Sequence, residues 1–80
     1  EFLLLLPDTP LSGAEIFARS VCQEVAHAGF NDNGRPLDVS ISCGVTQLDG
    51  DDTMETALAR ADEAMYDAKK LEGTRVKAVA

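Results

Sequence analysis

Four carboxylates lie within seven residues near the middle of the chain and are the first candidates for cation chemistry. They are Asp49, Asp51, Asp52 and Glu55. An EF-hand loop that began at Asp49 would bind Ca²⁺ only with glycine at position 54 and glutamate at position 60. Met54 and Arg60 stand there instead. Capping explains the cluster better, with Asp52 as the N-cap of a helix and Glu55 at its third position.

The remaining candidate nucleophiles and metal ligands are isolated in the sequence. His27 has no second histidine, and Cys22 and Cys43 lack the spacing of a zinc site. The two cysteines allow one disulfide at most, and their apolar settings predict reduced core thiols in a cytosolic protein. Ser40 and Ser42 lack the glycine-flanked elbow of a serine hydrolase.

Length, composition and charge limit the possible partners. The chain has 80 residues, enough for one small domain with a marginal core. It is 45% apolar and 26% charged, which excludes a disordered chain. Its net charge of -7 argues against a nucleic-acid backbone or an anionic membrane surface as partner. The longest apolar run, Phe2–Leu6, is too short to span a bilayer.

The first half of the chain predicts a strand and then a helix. Phe2–Leu6 is a continuous apolar run that ends at Pro7, which predicts a strand buried on both faces. Ser12 and Glu15 form a capping-box pattern, so a helix is expected to begin there. Its apolar residues recur at three- and four-residue spacing, and Gly29 is the expected stop.

The second half predicts a strand, a helix and a final strand. Asn33-Gly34 signals a turn, after which Val39–Thr46 alternates between apolar and small polar residues. The small face of that strand could lie under a substrate or another backbone. A helix is expected from Met54 to Leu71, and a short strand from Arg75 to Ala80. The order β-α-β-α-β predicts an α/β or α+β domain with helices on one face of a sheet.

Three blocks of this sequence resemble the GGDEF family of diguanylate cyclase domains. Glu1-Phe-Leu-Leu-Leu-Leu-Pro7 is similar to the end of the GGDEF signature and the strand that follows it. Val39–Val45, which reads VSISCGV, resembles the family's VSIGV strand. Ala57–Lys69, which reads ALARADEAMYDAK, resembles the family's ARADEAMYxAK helix. The resemblance implies that residues 1–80 are the C-terminal half of one GGDEF domain, with a ferredoxin-like, palm-like fold and an antiparallel sheet.

The family's chemistry sets the expectations for function. In GGDEF domains, two protomers each hold one GTP, and the two nucleotides condense to cyclic di-GMP with release of pyrophosphate. Mg²⁺ or Mn²⁺ holds the triphosphates, as in other two-metal phosphoryl transfers. The resemblance therefore implies a bacterial signalling enzyme with GTP as substrate. It also implies a cytoplasmic domain, which a larger membrane-anchored sensor could carry.

Three residues take site roles by resemblance. Glu1 corresponds to the fourth position of the signature, a catalytic carboxylate beside the metal, although a free chain end is the alternative interpretation. Lys69 corresponds to a lysine that reaches the GTP phosphates, although a solvated helix end explains it equally well. The sequence 72–74 reads Glu-Gly-Thr where the family has Gly-Arg-Asn, so Arg75 would replace the phosphate-binding arginine only by a local shift.

The chain opens inside an apolar run without an initiator Met, and we interpret it as a fragment. By resemblance, the other metal ligands and guanine-reading residues belong to the absent half, so this fragment is expected to be inactive alone. The strand between Phe2–Leu6 and Val39–Thr46 would be absent as well. Open apolar edges drive pairing, so a homo-oligomer or strand-swapped dimer is expected.

Two other functions are compatible with the sequence. A degenerate GGDEF domain could bind GTP or a protein partner and regulate an attached module without catalysis, as the change at residues 72–74 indicates. Apart from the resemblance, the chain could be a small acidic α/β interaction module that recruits a partner by strand addition.

Overall fold

The computed structural model describes residues 1–80 and contains two helices and two small sheets. In chain order the elements are α1 (Leu11–Ala26), β1 (Asn31–Asp32), β2 (Arg35–Pro36), β3 (Ser42–Thr46), α2 (Met54–Ala68) and β4 (Arg75–Val79). β1 and β2 form an antiparallel hairpin, and β3 pairs with β4. This mixture confirms the α+β class. No helix is both long enough and apolar enough to cross a membrane.

The larger sheet is parallel, which corrects the expected antiparallel sheet. In β3 and β4, Ser42 lies opposite Arg75 and Thr46 opposite Val79. α2 carries the chain from the end of β3 back to the start of β4, so both strands run in the same direction. The antiparallel pair, β1 and β2, is joined by a short hairpin turn.

The two helices pack on opposite faces of the β3–β4 pair, not on one face as expected. Cys43 and Val45 pack with the buried residues Ala18 and Cys22 of α1. A Cβ at Gly44 would point to the opposite face, where the strand backbone lies against the backbone of α2. Successive strand residues alternate between faces, so a strand with apolar and small residues in alternation can contact one helix on each side. Of the two alternatives for the small face, a substrate or another backbone, the structure shows the second at Gly44.

Small side chains form the core. Only seven residues are buried, and they are Ala14, Ala18, Cys22, Ala57, Ala64, Ala68 and Val76. None of the larger side chains is fully buried, whereas many leucines and phenylalanines are exposed. The chain therefore buries only a small part of its apolar side-chain area. Because burial of apolar area is the main stabilising contribution, this core contributes little stability.

The predicted strand at Phe2–Leu6 is wrong for this structure. The segment forms no strand, and its side chains are 99% exposed at Phe2, 58% at Leu3, 65% at Leu4 and 61% at Leu5. A strand exists only through hydrogen bonds to a neighbour, and no strand is hydrogen-bonded to this segment. The local apolar pattern is that of a buried strand, but its neighbours decide whether it forms.

The N-caps of both helices differ from the predicted ones, by two residues in α1 and by one residue in α2. α1 has Pro10 as its N-cap with no side-chain capping bond, so the Ser12–Glu15 capping box does not form. The Leu11 backbone N–H instead donates to Gln47 Oε1 at 3.3 Å. α2 has Thr53 as its N-cap, in a capping box with Thr56. Asp52 does not cap the helix because its carboxylate is engaged by Arg60.

The predicted turn at Asn33-Gly34 and the final strand are confirmed. Asn33 has φ of 51° and Gly34 has φ of 83°, the left-handed pair that a two-residue type I′ hairpin requires. β4 covers Arg75–Val79, close to the predicted range. β3 is shorter than its pattern, since hydrogen-bonded pairing begins only at Ser42.

Candidate functional site

The chain has an open apolar groove. Its walls are the segment Phe2–Leu6, α1, the unpaired edge of β3, and α2. The groove has a volume of about 900 Å³. Its lining includes eight of the exposed large apolar side chains, namely Phe2, Leu3, Leu4, Leu5, Phe17, Leu48, Met54 and Leu58. Such a lining suits an apolar chain segment rather than a triphosphate.

Glu1 is one of the residues that line this groove, and it precedes the segment Phe2–Leu6. Its side chain is exposed and makes no hydrogen bond or ion pair. No group of three or more His, Cys, Asp or Glu side chains is close enough to hold a metal ion. Mg²⁺ needs several oxygen ligands in octahedral geometry, so one carboxylate does not fit a metal site.

Lys69 and Arg75 do not line the groove, whereas Glu1 does. Lys69 is the C-cap of α2 and is exposed, and Arg75 begins β4 opposite Ser42. The two cations therefore flank the short loop between α2 and β4. The neighbouring Lys70 places Nζ 4.3 Å from the centre of the Tyr66 ring, which keeps it on the helix surface. The structure thus places the two phosphate-binding candidates at one end of the βαβ unit, and Glu1 in the groove lining.

Arg60 donates four side-chain hydrogen bonds, more than any other residue of the chain. Its guanidinium donates to Thr46 Oγ1 at 2.6 Å and to the Gln47 carbonyl at 2.9 Å. It also donates to both carboxylate oxygens of Asp52, at 2.9 and 2.6 Å. One side chain of α2 therefore fixes the end of β3 and the following loop. We call these four residues the Arg60 clamp.

The acidic loop that precedes α2 has a structural role. The Asp52 carboxylate accepts the backbone N–H of Asp49 at 3.1 Å, and the Asp49 carboxylate accepts the N–H of Asp51 at 2.8 Å. The Arg60 guanidinium, followed by the Asp49 N–H, holds the pKa of the Asp52 carboxyl well below its usual range. The carboxylates are therefore oriented toward loop donors and Arg60 and not toward a shared cation site. The sequence missed Arg60 because its partners lie eight to fourteen residues away.

Asp52→Asn is expected to alter the acid stability of the chain. A depressed folded-state pKa stabilises the protein above the ordinary carboxyl pKa of about 3.9, and this stabilisation is lost as the pH falls below it. Urea unfolding between neutral pH and pH ~3 should show a stability gap between native chain and variant that is constant above pH ~5 and narrows in acid. Persistence of the full gap in acid would mean that Asp52 does not carry the effect.

Comparison with known proteins identifies the family. The family described as "Diguanylate cyclase, GGDEF domain" matches residues 1–75. "Response regulator PleD" of Caulobacter vibrioides is 42% identical over 72 residues, which is 86% of this chain and 16% of the relative. "Diguanylate cyclase DgcM" of Escherichia coli is 36% identical over 98% of this chain and 18% of its own length. "Diguanylate cyclase DgcP" of Pseudomonas aeruginosa is 34% identical over 88% of this chain and 10% of its own length.

The three relatives are much longer than this chain. It spans between a tenth and a fifth of the length of the three relatives. No solved structure shows a significant match to it. The family match begins at Glu1 and covers both helices and the start of β4. The chain belongs to the GGDEF family of diguanylate cyclase domains.

Proposed function

We propose that the complete domain condenses two GTP molecules into cyclic di-GMP, with release of pyrophosphate. The family match over residues 1–75 is the observation that carries this proposal. GTP is the substrate, Mg²⁺ or Mn²⁺ is the cofactor, and the setting is bacterial second-messenger signalling in the cytoplasm. Two of the relatives compared above are named diguanylate cyclases, which supports the same activity.

In this proposal the chain supplies part of the catalytic site. Glu1 takes the role of a catalytic and metal-binding carboxylate, together with ligands from outside residues 1–80. Lys69 and Arg75 take the role of phosphate-binding cations, supported by their positions on both sides of the α2–β4 loop. Because one carboxylate cannot hold Mg²⁺, residues 1–80 alone are expected to be inactive.

The experiment is GTP turnover with Mg²⁺, with cyclic di-GMP detected by chromatography. It compares the 80-residue chain with a version extended upstream by roughly one further half-domain. Product from the extended version only is the expected result. In that version, Lys69→Ala should lower kcat/KM by about tenfold or more, since it removes a charge-assisted contact to phosphate.

The matched control is Lys70→Ala, which removes a lysine that lies over Tyr66. It should leave turnover near the native rate. Equal losses in both variants would show a general charge effect and would remove Lys69 from the site. Product from the 80-residue chain alone would overturn the argument that its carboxylates are too few.

A regulatory role without catalysis is the second candidate function. It is favoured by the residues Glu72, Gly73 and Thr74, which stand where the family has Gly-Arg-Asn. A carboxylate at position 72 would repel a triphosphate. GTP binding by the extended version without any cyclic di-GMP would support this role, and turnover would exclude it.

A second copy of the chain is the proposed partner of the groove. Phe2–Leu6 is apolar and unpaired, and β3, which has a free edge, is of equal length at five residues. Neither segment carries a charge. The same chain therefore offers a strand and an edge that can accept it, which permits a symmetric exchange in which each copy places Phe2–Leu6 beside β3 of the other.

Light scattering after gel filtration over a range of concentrations tests this partner. We expect a dimer, and we expect Leu4→Lys to shift it to monomer because a charge would enter the exchanged strand. Ile16→Lys is the matched control, since Ile16 is 66% exposed and does not line the groove. A native chain that stays monomeric, or equal effects of both substitutions, would overturn the proposal.

A further inference from the structure

Cys22 and Cys43 form a close pair of thiols that no part of the proposed function uses. Cys22 lies on α1 and Cys43 on β3, and their sulfurs are 3.6 Å apart. Both are free thiols. A disulfide bond is about 2.0 Å long, so the sulfurs need to approach by roughly 1.6 Å for a bond to form. The two residues are 21 positions apart in sequence, so the fold itself brings them together.

The surroundings of the pair are apolar, and only one thiol is reachable. Cys22 is buried beside Ala18 and Val76, and its Sγ lies 3.8 Å from the Ile41 carbonyl oxygen. Cys43 is half-buried and lines the groove. In the monomer, where no second copy covers the groove, a small reagent can contact Cys43 there. Cys22 lies behind Cys43 and carries out the second step.

We propose that Cys22 and Cys43 are an oxidation site that closes to an intramolecular disulfide with a small-molecule disulfide such as oxidised glutathione. The Cys43 thiolate attacks one sulfur of the reagent, which forms a mixed disulfide and releases one glutathione thiol. The Cys22 thiolate then attacks the Cys43 sulfur and releases the second glutathione thiol. Two protein thiols and one reagent disulfide become one protein disulfide and two reagent thiols.

Proximity favours the product, whereas burial slows the first step. Burial, followed by the contact with Cys22, raises the pKa of the Cys43 thiol to about 11. Only the thiolate attacks a disulfide, so the exchange at neutral pH is expected to be slow. At equilibrium, the fixed position of the two thiols favours the disulfide. Two groups held side by side have a higher effective concentration than the same groups on a flexible chain.

The test measures the effective concentration of the two thiols in glutathione redox buffers. The 80-residue chain is equilibrated in native buffer and in concentrated urea, at a concentration at which light scattering shows a monomer. Free thiols are then alkylated, and intact masses are recorded. A flexible loop of this length gives an effective concentration in the millimolar range. We expect the native value to be about 100-fold higher than the value in urea. By reciprocity, the disulfide should lower the unfolding equilibrium constant by the same factor.

Two single variants control the chemistry. Cys22→Ser should stop at a mixed disulfide on Cys43 in native buffer. Cys43→Ser should leave Cys22 largely unmodified there, because Cys22 does not line the groove. A native effective concentration equal to or below the value in urea would overturn the proposal. So would oxidised dimers in place of the intramolecular product in dilute solution.

Discussion

Gly44→Ala is expected to unfold the chain. A Cβ at position 44 would overlap the Ala61 carbonyl oxygen and the Met65 amide nitrogen, both of which belong to the backbone of α2. Backbone atoms cannot rotate away as a side chain does, so α2 would have to move off β3. Overpacking of a core lowers the free energy of unfolding by about 1–3 kcal/mol. Displacement of a whole helix should cost about 3 kcal/mol or more. A domain of this size has only a few kcal/mol of stability to lose.

Gly50→Ala is the matched control for this prediction. A Cβ at Gly50 meets no atom within 4 Å, so the variant should stay within about 0.5 kcal/mol of the native chain. Urea unfolding followed by circular dichroism compares the two midpoints. Coincident midpoints for both variants would show that α2 does not lie on the glycine face of β3.

Arg60→Ala is expected to be the most damaging change of a charged residue. It removes every donor of the Arg60 clamp, so the half-buried Thr46 hydroxyl and the Asp52 carboxylate lose their shared partner. The Asp52 side chain is only 7% exposed, so water cannot fully replace the guanidinium. The loop between β3 and α2 would lose its tether, and we expect a fall of several degrees in Tm.

Two further substitutions separate the clamp from a general effect of charge. Arg60→Lys keeps the charge but loses the planar fork that bonds Asp52 through two nitrogens, so its Tm should lie between those of the native chain and Arg60→Ala. Arg19→Ala removes an exposed ion pair with Glu15, of length 3.1 Å, and should change stability by less than about 0.5 kcal/mol. Equal Tm values for Arg19→Ala and Arg60→Ala would contradict the role of the clamp.

The Arg60 clamp shows how the fold assigns roles that residue type does not reveal. Asp49, Asp51 and Asp52 form an acidic cluster in the sequence, for which helix capping by Asp52 is the favoured prediction. That cap is wrong, since Thr53 is the N-cap and Asp52 pairs with Arg60. The Asp49 and Asp52 carboxylates accept backbone N–H groups of the loop instead. A capping pattern is local and can be found by spacing. A contact between a loop and the second turn of a helix depends on where the helix is packed.

The sequence by itself determined the local elements and the family. Helical spacing located both helices, alternation located β3, and Asn33-Gly34 located the hairpin turn, because each depends on neighbours within a few residues. The GGDEF resemblance rested on Glu1–Pro7, Val39–Val45 and Ala57–Lys69, and the family match over residues 1–75 agrees with it. The site roles of Glu1, Lys69 and Arg75 stay predictions.

The tertiary structure alone decided how those elements meet. The parallel pairing of β3 with β4, the opposite faces of α1 and α2, and the 3.6 Å separation of the two thiols all join distant residues. The unpaired state of Phe2–Leu6 was also decided by the tertiary structure. A strand needs a second segment as its hydrogen-bonding partner, and the apolar pattern of one segment does not show whether that partner is present. Local spacing records which face of an element is apolar, whereas packing decides what covers that face.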